Sequence, residues 1–261
     1  MKCVILAAGY ATRMYPLTEN LPKSLLVVGG KTILEHILAK VEEVPEINEI
    51  ILVSNAKFAG QFREYLKKSG QDDRISLIDD GTWDNEHRLG AVADLGLAIE
   101  RRQIDDDILV LAGDNLFDFS LRDFVAYFRT VNVDCITTYI EESIEALQKT
   151  GVAELDPSGR VLSFEEKPKN PRSNNAVPPF YLHKKDTLLV IQNYIQEGKN
   201  ADAPGQFVSW LVNIKPVYAF RFEGKRHDIG SLESYQEAQR LLSIEKANEI
   251  LLNSLDFPIR E

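Results

Sequence analysis

Short apolar runs alternate with segments of helical periodicity over the first 112 residues, and this alternation limits the folds open to the chain. The apolar runs are residues 2–8, 48–54, 75–78 and 107–112, and the periodic segments are 33–41, 58–66 and 89–99. Thr32, with Glu35 three residues later, forms a capping-box pattern before the first of these helices. Strands joined by crossover helices predict a mostly parallel sheet covered on both faces.

The pattern changes after Asp114, where short strand-like segments dominate. Those segments are residues 135–140, 152–155, 161–165, 176–182 and 217–222, with helices predicted over 184–197 and 231–252. The Asp-Pro-Ser-Gly-Arg sequence at 156–160 is typical of a hairpin turn. The second half therefore predicts an antiparallel extension of the same sheet. We expect one domain over 1–261, with halves at about 1–115 and 116–230 and a C-terminal helix at 231–261.

Charge and cysteine content exclude several classes of function. Asp and Glu outnumber Lys and Arg by 40 to 30, which gives a net charge of -10. Such a chain repels a phosphate backbone, so we expect no nucleic acid polymer as a partner, although a small anion can bind where cations cluster. Cys3 and Cys135 lie in apolar runs, which favours a reducing cytoplasm over a disulfide scaffold. Because no apolar stretch reaches membrane length and the opening run is too short for a signal peptide, we expect a soluble cytoplasmic protein without a membrane partner.

A loop of small residues follows the first predicted strand. It runs Leu6-Ala7-Ala8-Gly9-Tyr10-Ala11-Thr12-Arg13 and continues to Thr18. Small side chains let backbone N–H groups approach an anion at the C-terminal end of a strand, and Arg13 adds a charged fork. Lys23, held after Pro22, can reach back toward this loop. The loop lacks the G-x-G-x-x-G and Gly-Lys-Ser/Thr patterns, and each cation taken singly is also explained as a surface residue.

Several motifs, in order, resemble one enzyme family. Residues 7–18 (Ala-Ala-Gly-x-x-Thr-Arg-Met-x-Pro-Leu-Thr) and 22–25 (Pro-Lys-x-Leu) resemble the opening signature of the sugar-1-phosphate nucleotidylyltransferases, most of all the short glucose-1-phosphate thymidylyltransferase type. Gly-Asp-Asn at 113–115, Phe-Glu-Glu-Lys-Pro at 164–168 and Asp-Ile-Gly-Ser at 228–231 resemble later elements of that family. The resemblance implies an α/β fold with a Rossmann-like, mixed but mostly parallel central sheet flanked by helices, and an antiparallel sugar-binding extension.

The resemblance also implies an activity, the transfer of a nucleotidyl group from a nucleoside triphosphate to a sugar-1-phosphate with release of pyrophosphate. Glucose-1-phosphate with dTTP or UTP is the expected pair, and the product is an NDP-sugar. Asp114 and Asp228 are the implied ligands of Mg²⁺, a cation that one or two carboxylates suffice to hold. The attacking phosphate oxygen is largely dianionic at neutral pH, because its second pKa is about 6, so no general base is expected.

Three cations are implied as catalytic residues. Arg13 would hold the leaving pyrophosphate, Lys23 would stabilise charge at the α-phosphate, and Lys167 would position the sugar phosphate. The expected sugar-phosphate site consists of Lys167 with Gly151, Glu166 and Val177. The expected nucleotide site consists of Leu6, Ala7, Ala8, Gly9, Arg13, Asp80, Thr82, Asn85, Gly90 and Asn115.

The nucleotide side departs from the family pattern at two places. Ala11 stands where a glycine is common, and alanine tolerates a positive φ less well. The base-reading region keeps a Leu-Gly-Ala turn at 89–91 but lacks the glutamine found in the thymidylyltransferases. Asp80, Thr82 and Asn85 are therefore the candidate base readers, and the choice of base is open.

Two further departures lie on the sugar side. Pro178 and Pro179 remove backbone donors beside the expected sugar pocket, so sugars other than glucose stay open. Arg226 and His227 precede Asp228 where an aromatic residue is more common, and the sequence offers no explanation for them.

Two alternative functions stay open. One is a nucleotidylyltransferase for a non-sugar phosphate such as phosphocholine, although choline favours an aromatic cage, whereas Glu166 and Lys167 suit a hydroxylated anion. The other is a non-catalytic nucleotide-sensing subunit, although such subunits typically lose a metal ligand or a loop cation that this chain keeps.

The C-terminal helix carries more apolar residues than one packing face needs, which predicts a homo-oligomer. These apolar residues are Leu241, Leu242, Ile244, Ile250 and Leu251.

Overall fold

The computed structural model describes residues 1–255, with side chains described as far as residue 244. The strands are β1 (Lys2–Leu6), β2 (Val27–Val28), β3 (Lys31–Thr32), β4 (Glu49–Ser54), β5 (Ile75–Asp79), β6 (Ile108–Ala112), β7 (Asn115–Phe117), β8 (Asp134–Ile140), β9 (Gly151–Leu155), β10 (Val161–Glu166), β11 (Asn175–Val177), β12 (Phe180–His183), β13 (Val217–Arg221) and β14 (Arg226–Asp228). The α-helices are α1 (Ile33–Glu42), α2 (Ala56–Lys68), α3 (Ala91–Arg102), α4 (Leu121–Val131), α5 (Ile144–Leu147), α6 (Thr187–Gln196), α7 (Pro204–Leu211) and α8 (Leu232–Leu255).

β1 lies inside the main sheet between β4 and β6, and all three strands run parallel. β5 extends the parallel part beyond β4. On the other side β12 runs antiparallel to β6 and leads to β8, β11, β9 and β10, while β13 lies parallel beside β8. Leu6 pairs with both Val53 and Ala112, so the central parallel strands end at one edge of the sheet. The predicted fold class, a Rossmann-like and mostly parallel sheet with an antiparallel extension, is confirmed.

Alternate residues of β1 pack on opposite faces of the sheet. Cys3 and Ile5 belong to one apolar cluster, together with Phe62 of α2 and Phe124 of α4. Val4 belongs to the second cluster, which α3, α6 and α7 cover. Helices therefore bury both faces, as the strand–helix alternation predicts.

Local sequence signals fix two boundaries as expected. Thr32 Oγ1 accepts a hydrogen bond from Glu35 N (3.1 Å), and Glu35 Oε2 accepts one from Thr32 N (2.5 Å), which is the predicted capping box at the start of α1. Between β9 and β10, Asp156 Oδ1 accepts hydrogen bonds from Ser158 N (2.8 Å) and Arg160 N (3.0 Å) and closes the predicted turn.

Two boundaries predicted from the sequence are wrong. The strand expected over 176–182 is divided into β11, which pairs with β8 and β9, and β12, which pairs with β6 and β8. Pro178 and Pro179 lie between them and cannot donate to a ladder, so the strand breaks there. Leu89 lies outside α3 and is 42% exposed, because Gly90 adopts a φ of 96° and the helix begins only at Ala91. Helices α4 and α7 and the pairing of β7 with β14 were not predicted from the sequence.

The described part of α8 packs against its own chain. Tyr235 Oη and Gln239 Nε2 both donate to Val27 O, at 2.9 and 2.5 Å. Leu242 packs on the core, whereas Ile244 is 46% exposed. The Ile250 and Leu251 side chains, and residues 256–261 of the predicted C-terminal segment, lie outside the described residues. No helix in the described part of the chain, α8 included, is both long and apolar enough to cross a membrane.

A buried ionic network joins β8, β12 and the start of α6 at the edge where the parallel strands begin. Asp134 is 0% exposed and lies 2.8 Å from Lys215 Nζ. It also accepts hydrogen bonds from His183 Nδ1 (3.1 Å), Lys184 N (3.0 Å) and Thr187 Oγ1 (2.8 Å). Burial by itself raises the pKa of Asp134, but the His183 and Lys215 contacts outweigh it and hold the pKa below its ordinary value.

We predict that Asp134→Ala costs about 3–5 kcal/mol in the free energy of unfolding, because it leaves Lys215 and its neighbours without their buried anion. Urea unfolding followed by circular dichroism measures this loss. The matched control is Asp105→Ala, which removes an exposed carboxylate paired with Lys185 at 2.7 Å and should cost less than about 1 kcal/mol. Equal losses in the two variants would contradict the structural role of Asp134.

Candidate active site

The loop predicted to bind an anion leaves β1 at the C-terminal edge of the parallel strands. Leu6 O accepts a hydrogen bond from Gly113 N (2.8 Å), and Ala7 N donates to Val53 O (2.8 Å). A Cβ on Gly113 would lie 2.8 Å from Ser24 Oγ and 2.9 Å from Leu6 O, so only glycine fits this approach. The start of the loop is therefore fixed between β4 and β6.

The next two residues of the loop differ in how enclosed they are. Ala8 is buried, and its carbonyl accepts a hydrogen bond from Asn55 Nδ2 (2.8 Å). Gly9 is exposed, and the position that a Cβ would occupy on it has no heavy atom within 4 Å. The backbone of the loop is therefore held by a hydrogen bond at Ala8 and exposed to solvent at Gly9.

Ala11 adopts the left-handed conformation, with φ 49° and ψ 41°, which glycine adopts more readily than alanine. Thr18 Oγ1 donates to Ala11 O (2.8 Å) and helps to hold the turn. The turn places Arg13 on a short 3₁₀ segment with its side chain exposed. Among the residues that the structure describes, no carboxylate pairs with Arg13, so the guanidinium projects from the loop without a protein anion.

Lys23 reaches across 91 residues of sequence to the end of β6. Its Nζ lies 2.6 Å from Asp114 Oδ2. Ser24 Oγ, in the same 3₁₀ turn, donates to Gly113 O (2.5 Å), and Pro22 precedes the turn in an extended conformation. The predicted return of Lys23 toward the loop is thus a contact with the carboxylate at the end of the neighbouring strand.

The short β7–β14 pair brings the second predicted acid to the first. Asp228 lies opposite Asn115 in the strand register, and Ile229 N donates to Asp114 O (3.1 Å). Arg226 Nε donates to Asn115 Oδ1 (2.6 Å), and an Arg226 guanidinium nitrogen lies 3.3 Å from Asp228 Oδ2.

Arg226 is a residue of this cluster that the sequence analysis missed. The departure from an aromatic residue before Asp228 was the available signal, and the reason for it is now visible. Arg226 connects Asn115 to Asp228 and adds a positive charge between the two acids.

The pKa values of Asp114 and Asp228 are shifted in opposite directions. Loss of solvation raises the pKa of Asp228, and the nearby negative charge of Asp114 raises it further. Loss of solvation also acts on Asp114, but the Lys23 ammonium, with the Asn115 amide, outweighs it and lowers the pKa of Asp114. Asp114 is therefore the firmly ionised carboxylate of the pair, and its negative charge disfavours ionisation of Asp228.

The predicted sugar-phosphate residues come together on the antiparallel extension. Gly151 pairs with Glu166 on one side and with Val177 on the other. A Cβ on Gly151 would collide with the Phe164 ring, which accounts for glycine there. Lys167 Nζ lies 3.7 Å from Glu166 Oε1, and its positive charge also lowers the pKa of Asp228, so the two groups of residues influence each other electrostatically.

Helix α7 covers Glu166 and contributes a residue that the sequence analysis missed. Glu166 Oε2 approaches Gly205 so closely that a Cβ there would overlap with it. Burial raises the pKa of Glu166, although the charge of Lys167 opposes this. α7 has only eight residues, too few for its apolar spacing to predict a helix from the sequence.

The candidate base readers lie at the end of β5. Thr82 N and Thr82 Oγ1 both donate to Asp80 Oδ1, at 2.7 and 2.8 Å, and Tyr10 Oη lies 2.9 Å from Thr82 Oγ1. Asn85, by contrast, is exposed, and its backbone carbonyl accepts a hydrogen bond from Arg88 Nη1 (2.9 Å). Gly90 opens α3, and a Cβ there would lie 2.5 Å from Ala201 O.

A second carboxyl group, Asp94 of α3, lies beside Asp80. It is 6% exposed, and its Oδ1 has no hydrogen-bond partner among the described residues. Burial raises the pKa of Asp94 to about 8, and the charge of Asp80 adds to this shift. Burial raises the pKa of Asp80 as well, although its bonds from Thr82 oppose the rise.

Together the fold and the cleft define a class, α/β proteins that handle phosphorylated ligands at the C-terminal edge of a parallel sheet. The chain belongs to the nucleotidyl transferase family, whose model matches residues 2–244. The resemblance implied by the motifs is confirmed.

Individual relatives agree with this membership. The chain is 27% identical over 261 residues to the bifunctional protein GlmU of Methanocaldococcus jannaschii, covering 100% of this chain and 56% of that one. It therefore spans little more than half the length of that relative. It is 26% identical over 246 residues to the UTP–glucose-1-phosphate uridylyltransferase AglF of Haloferax volcanii, covering 94% of this chain and 98% of that one. A crystal structure of a proposed glucose-1-phosphate thymidylyltransferase from Bacillus anthracis, with sucrose, superposes with a TM-score of 0.78 at 25% identity and covers 100% of this chain and 98% of that chain.

We predict that Asp94→Asn makes the protein more stable than the wild type at alkaline pH. The folded protein keeps a proton on Asp94 up to about pH 8, whereas the unfolded chain loses it near the ordinary value of 3.8. Stability from this group therefore falls as the pH rises through that window, by at most about 1.4 kcal/mol per pH unit. The asparagine amide of the variant does not titrate, so the variant does not lose stability in this way as the pH rises.

Urea unfolding at pH 5, 7 and 8.5 measures the difference between the two proteins, which should grow with pH. Asp73→Asn, which neutralises an exposed turn residue, serves as the control and should leave the pH dependence unchanged. A constant difference between wild type and Asp94→Asn would show that Asp94 is ionised in the folded protein.

Proposed function

We propose that this protein transfers a nucleotidyl group from a nucleoside triphosphate to a sugar-1-phosphate, giving an NDP-sugar and pyrophosphate. Glucose-1-phosphate with dTTP or UTP is the proposed pair, supported by the named activities of the uridylyltransferase and thymidylyltransferase relatives. The observation that carries the proposal is the contact of 2.6 Å between Lys23 Nζ and Asp114 Oδ2, which joins the turn after the loop of residues 6–18 to the residues that follow β6. This contact supports the proposal because it joins a cation and a carboxylate at the edge of an open α/β sheet where ligands commonly bind.

The donor set in the cleft suits Mg²⁺. Asp114 and Asp228 repel one another, and a divalent cation beside them would relieve that repulsion. Each oxygen of Asp114 has a partner, Lys23 or Asn115, but a carboxylate oxygen can accept more than one contact. Among the described residues no third acidic, histidine or cysteine side chain completes a closed metal centre, as expected for a cation that also takes water and phosphate oxygens. When bound, Mg²⁺ would neutralise charge on the triphosphate and the developing charge of the transition state.

The remaining roles in the proposed reaction fall to four side chains of the protein. Lys23, already fixed by Asp114, would stabilise charge on the α-phosphate without a large rearrangement. Arg13, exposed on its turn, would hold the leaving pyrophosphate. Lys167 would position the sugar phosphate, and Glu166 would accept hydrogen bonds from sugar hydroxyls beside the Gly151 backbone. The sugar phosphate oxygen attacks the α-phosphorus, and the bond to the pyrophosphate oxygen breaks.

Two properties of the intact protein belong to the same proposal. We place it in the cytoplasm, where its two buried free thiols, Cys3 and Cys135, are compatible with reducing conditions. A homo-oligomer is proposed from the apolar residues of α8, of which Ile244 is exposed.

We predict that Lys23→Ala and Asp114→Asn each lower turnover at least about 100-fold, because each removes a charge that the transition state needs. Release of pyrophosphate in the presence of Mg²⁺ is the measurement, and chelation of the metal should abolish it. Lys185→Ala, at the opposite edge of the sheet and paired with Asp105, is the matched lysine control and should retain full activity. Near-normal turnover in either site variant would overturn the assignment of the site, and a flat trace with wild type over a matrix of nucleotides and sugar phosphates would favour a nucleotide sensor.

We predict that Glu166→Gln raises KM for the sugar-1-phosphate about tenfold or more, because a charged acceptor of hydroxyl hydrogen bonds becomes a neutral amide. Steady-state kinetics with glucose-1-phosphate measure this, and KM for the nucleotide should stay unchanged. Glu165→Gln is the control, since Glu165 faces Arg172 at 3.7 Å and not Gly205. If phosphocholine replaced the sugar phosphate as the better acceptor in the wild type, the role of Glu166 would be wrong.

A further inference from the structure

Arg226, which stands two residues before Asp228 on β14, is buried beside the predicted acids. Its side chain is 10% exposed, whereas that of Asp228 is 51% exposed. The two residues lie two positions apart in one strand, so their side chains project from the same face. A ligand that comes from solvent therefore meets the Asp228 carboxylate, while the Arg226 guanidinium stays largely covered.

Two hydrogen bonds hold the Arg226 guanidinium in place. Nε donates to Asn115 Oδ1 (2.6 Å), and Nη2 donates to Asp228 Oδ2 (3.3 Å). Asn115 Nδ2 donates in turn to Asp114 Oδ1 (2.7 Å). Arg226 is therefore connected to both acids, directly to one and through the asparagine to the other. An uncharged aromatic residue at this position could not form the charged contact with Asp228.

The positive charge of Arg226 acts on both carboxylates. Burial by itself raises the pKa of Asp114 and of Asp228, and Arg226 is among the charged groups that lower the pKa in each case. It lowers the pKa of Asp228 more than Lys23 or Lys167 does. Because a guanidinium is not deprotonated in proteins, this charge persists beside the acids at any working pH.

Lys23 and Arg226 together balance the two acids. Lys23 Nζ lies 2.6 Å from Asp114 Oδ2, as Arg226 lies beside Asp228, and two cations with two ionised carboxylates carry no net charge. The affinity of a carboxylate site for a divalent cation depends on how much negative charge its ligands carry. The balanced cluster therefore attracts a divalent cation weakly. Arg226 remains in place because its burial and its two hydrogen bonds hold it.

We propose, resting on the nucleotidyl transfer proposed above, that Arg226 is a positioning residue that serves as the resident counter-ion of Asp114 and Asp228. It holds the two acids in place in the free protein and weakens the binding of a divalent cation to them. A nucleoside triphosphate brings several negative charges to the same cleft, so the cation would bind tightly only together with the nucleotide. Arg226 thereby makes loading of the site depend on the substrate.

Calorimetric titration of the nucleotide-free protein with Mn²⁺ tests this role. Arg226→Gln removes the charge but keeps an N–H donor for Asn115. It should bind Mn²⁺ at least about tenfold more tightly than the wild type, since one unit charge beside a divalent cation accounts for a change of this size even at the dielectric constant of water.

Each result of the titration decides for or against the proposal. If the wild type binds Mn²⁺ too weakly to measure, binding that emerges in Arg226→Gln supports the counter-ion role, and its absence from both proteins contradicts it. Unchanged or weaker Mn²⁺ affinity in Arg226→Gln would overturn the proposal.

Arg226→Lys separates the charge from the shape of the side chain. This variant keeps a positive charge beside Asp228, so its Mn²⁺ affinity should stay close to that of the wild type. Tightening equal to that in Arg226→Gln would show that the charge is not responsible.

Arg221→Gln is the matched control. Arg221 Nη2 also donates to an asparagine, Asn175 Oδ1 (2.8 Å), but in the described part of the chain it pairs with no carboxylate. The Mn²⁺ affinity should stay at its wild-type value. A change equal to that in Arg226→Gln would reduce the effect to the net charge of the chain and contradict the proposal.

Thermal melting in EDTA and at a fixed Mn²⁺ concentration gives a second readout. Loss of the counter-ion should lower the melting temperature of Arg226→Gln in EDTA, and Mn²⁺ should raise it more than in the wild type, because a ligand that binds more tightly stabilises the folded state more. An equal rise in both proteins contradicts the proposal. These measurements involve neither nucleotide nor turnover, so a wild type that releases no pyrophosphate would refute the proposed function without deciding the role of Arg226.

Discussion

The contact between Lys23 and Asp114 ties the candidate site together. An ion pair that keeps part of its surface in water contributes little to stability by itself. Its importance is positional, because it fastens the turn after the anion loop to the end of β6 over 91 residues of sequence. Asp114 in turn orients Asn115, and through it Arg226 and Asp228. A series of charged and polar side chains thus connects the turn that follows β1 with the β7–β14 pair.

The parts of this arrangement that could be predicted from the sequence depend on local signals. Apolar runs and periodic segments gave the parallel strands, and Thr32 with Glu35 gave the start of α1. The motif residues Lys23, Asp114 and Asp228 were predicted as one site. In the structure Lys23 Nζ lies 2.6 Å from Asp114 Oδ2, and Ile229, which follows Asp228, donates from its backbone N to Asp114 O at 3.1 Å. The contacts of Arg226 could not be predicted, although its departure from the family pattern was visible, because β7 and β14 are three residues each and carry no periodic signal. Gly205 could not be predicted because its role depends on the side chain of Glu166, which approaches it only in the folded chain.

In the antiparallel half, two prolines shape the region of the expected sugar-phosphate site. A continuous strand over 176–182 would have kept β11 and β12 in one ladder. Pro178 and Pro179 end β11 after Val177, so that β11 inserts between β8 and β9 while β12 continues beside β6. This division places Val177 next to Gly151, and Gly151 next to Glu166, in one layer. The same prolines that interrupt the sheet therefore bring the expected sugar-phosphate residues together, although periodicity alone predicted one strand.

Electrostatics across the molecule explain why the cations of the site differ in their surroundings. The chain carries a net charge of -10, so a triphosphate approaches a repulsive field and needs local positive charge. Lys23 and Arg226 are already compensated by Asp114 and Asp228, and they contribute fixed geometry more than net charge. Arg13 is exposed without a paired carboxylate in the described chain, and Lys167 is 60% exposed with Glu166 at 3.7 Å. In the proposed reaction these two exposed side chains would supply the less compensated positive charge and could adjust to two different anions. In the proposed reaction, the fixed cations beside the acids would orient the reacting phosphate, and the exposed cations would gather the ligands.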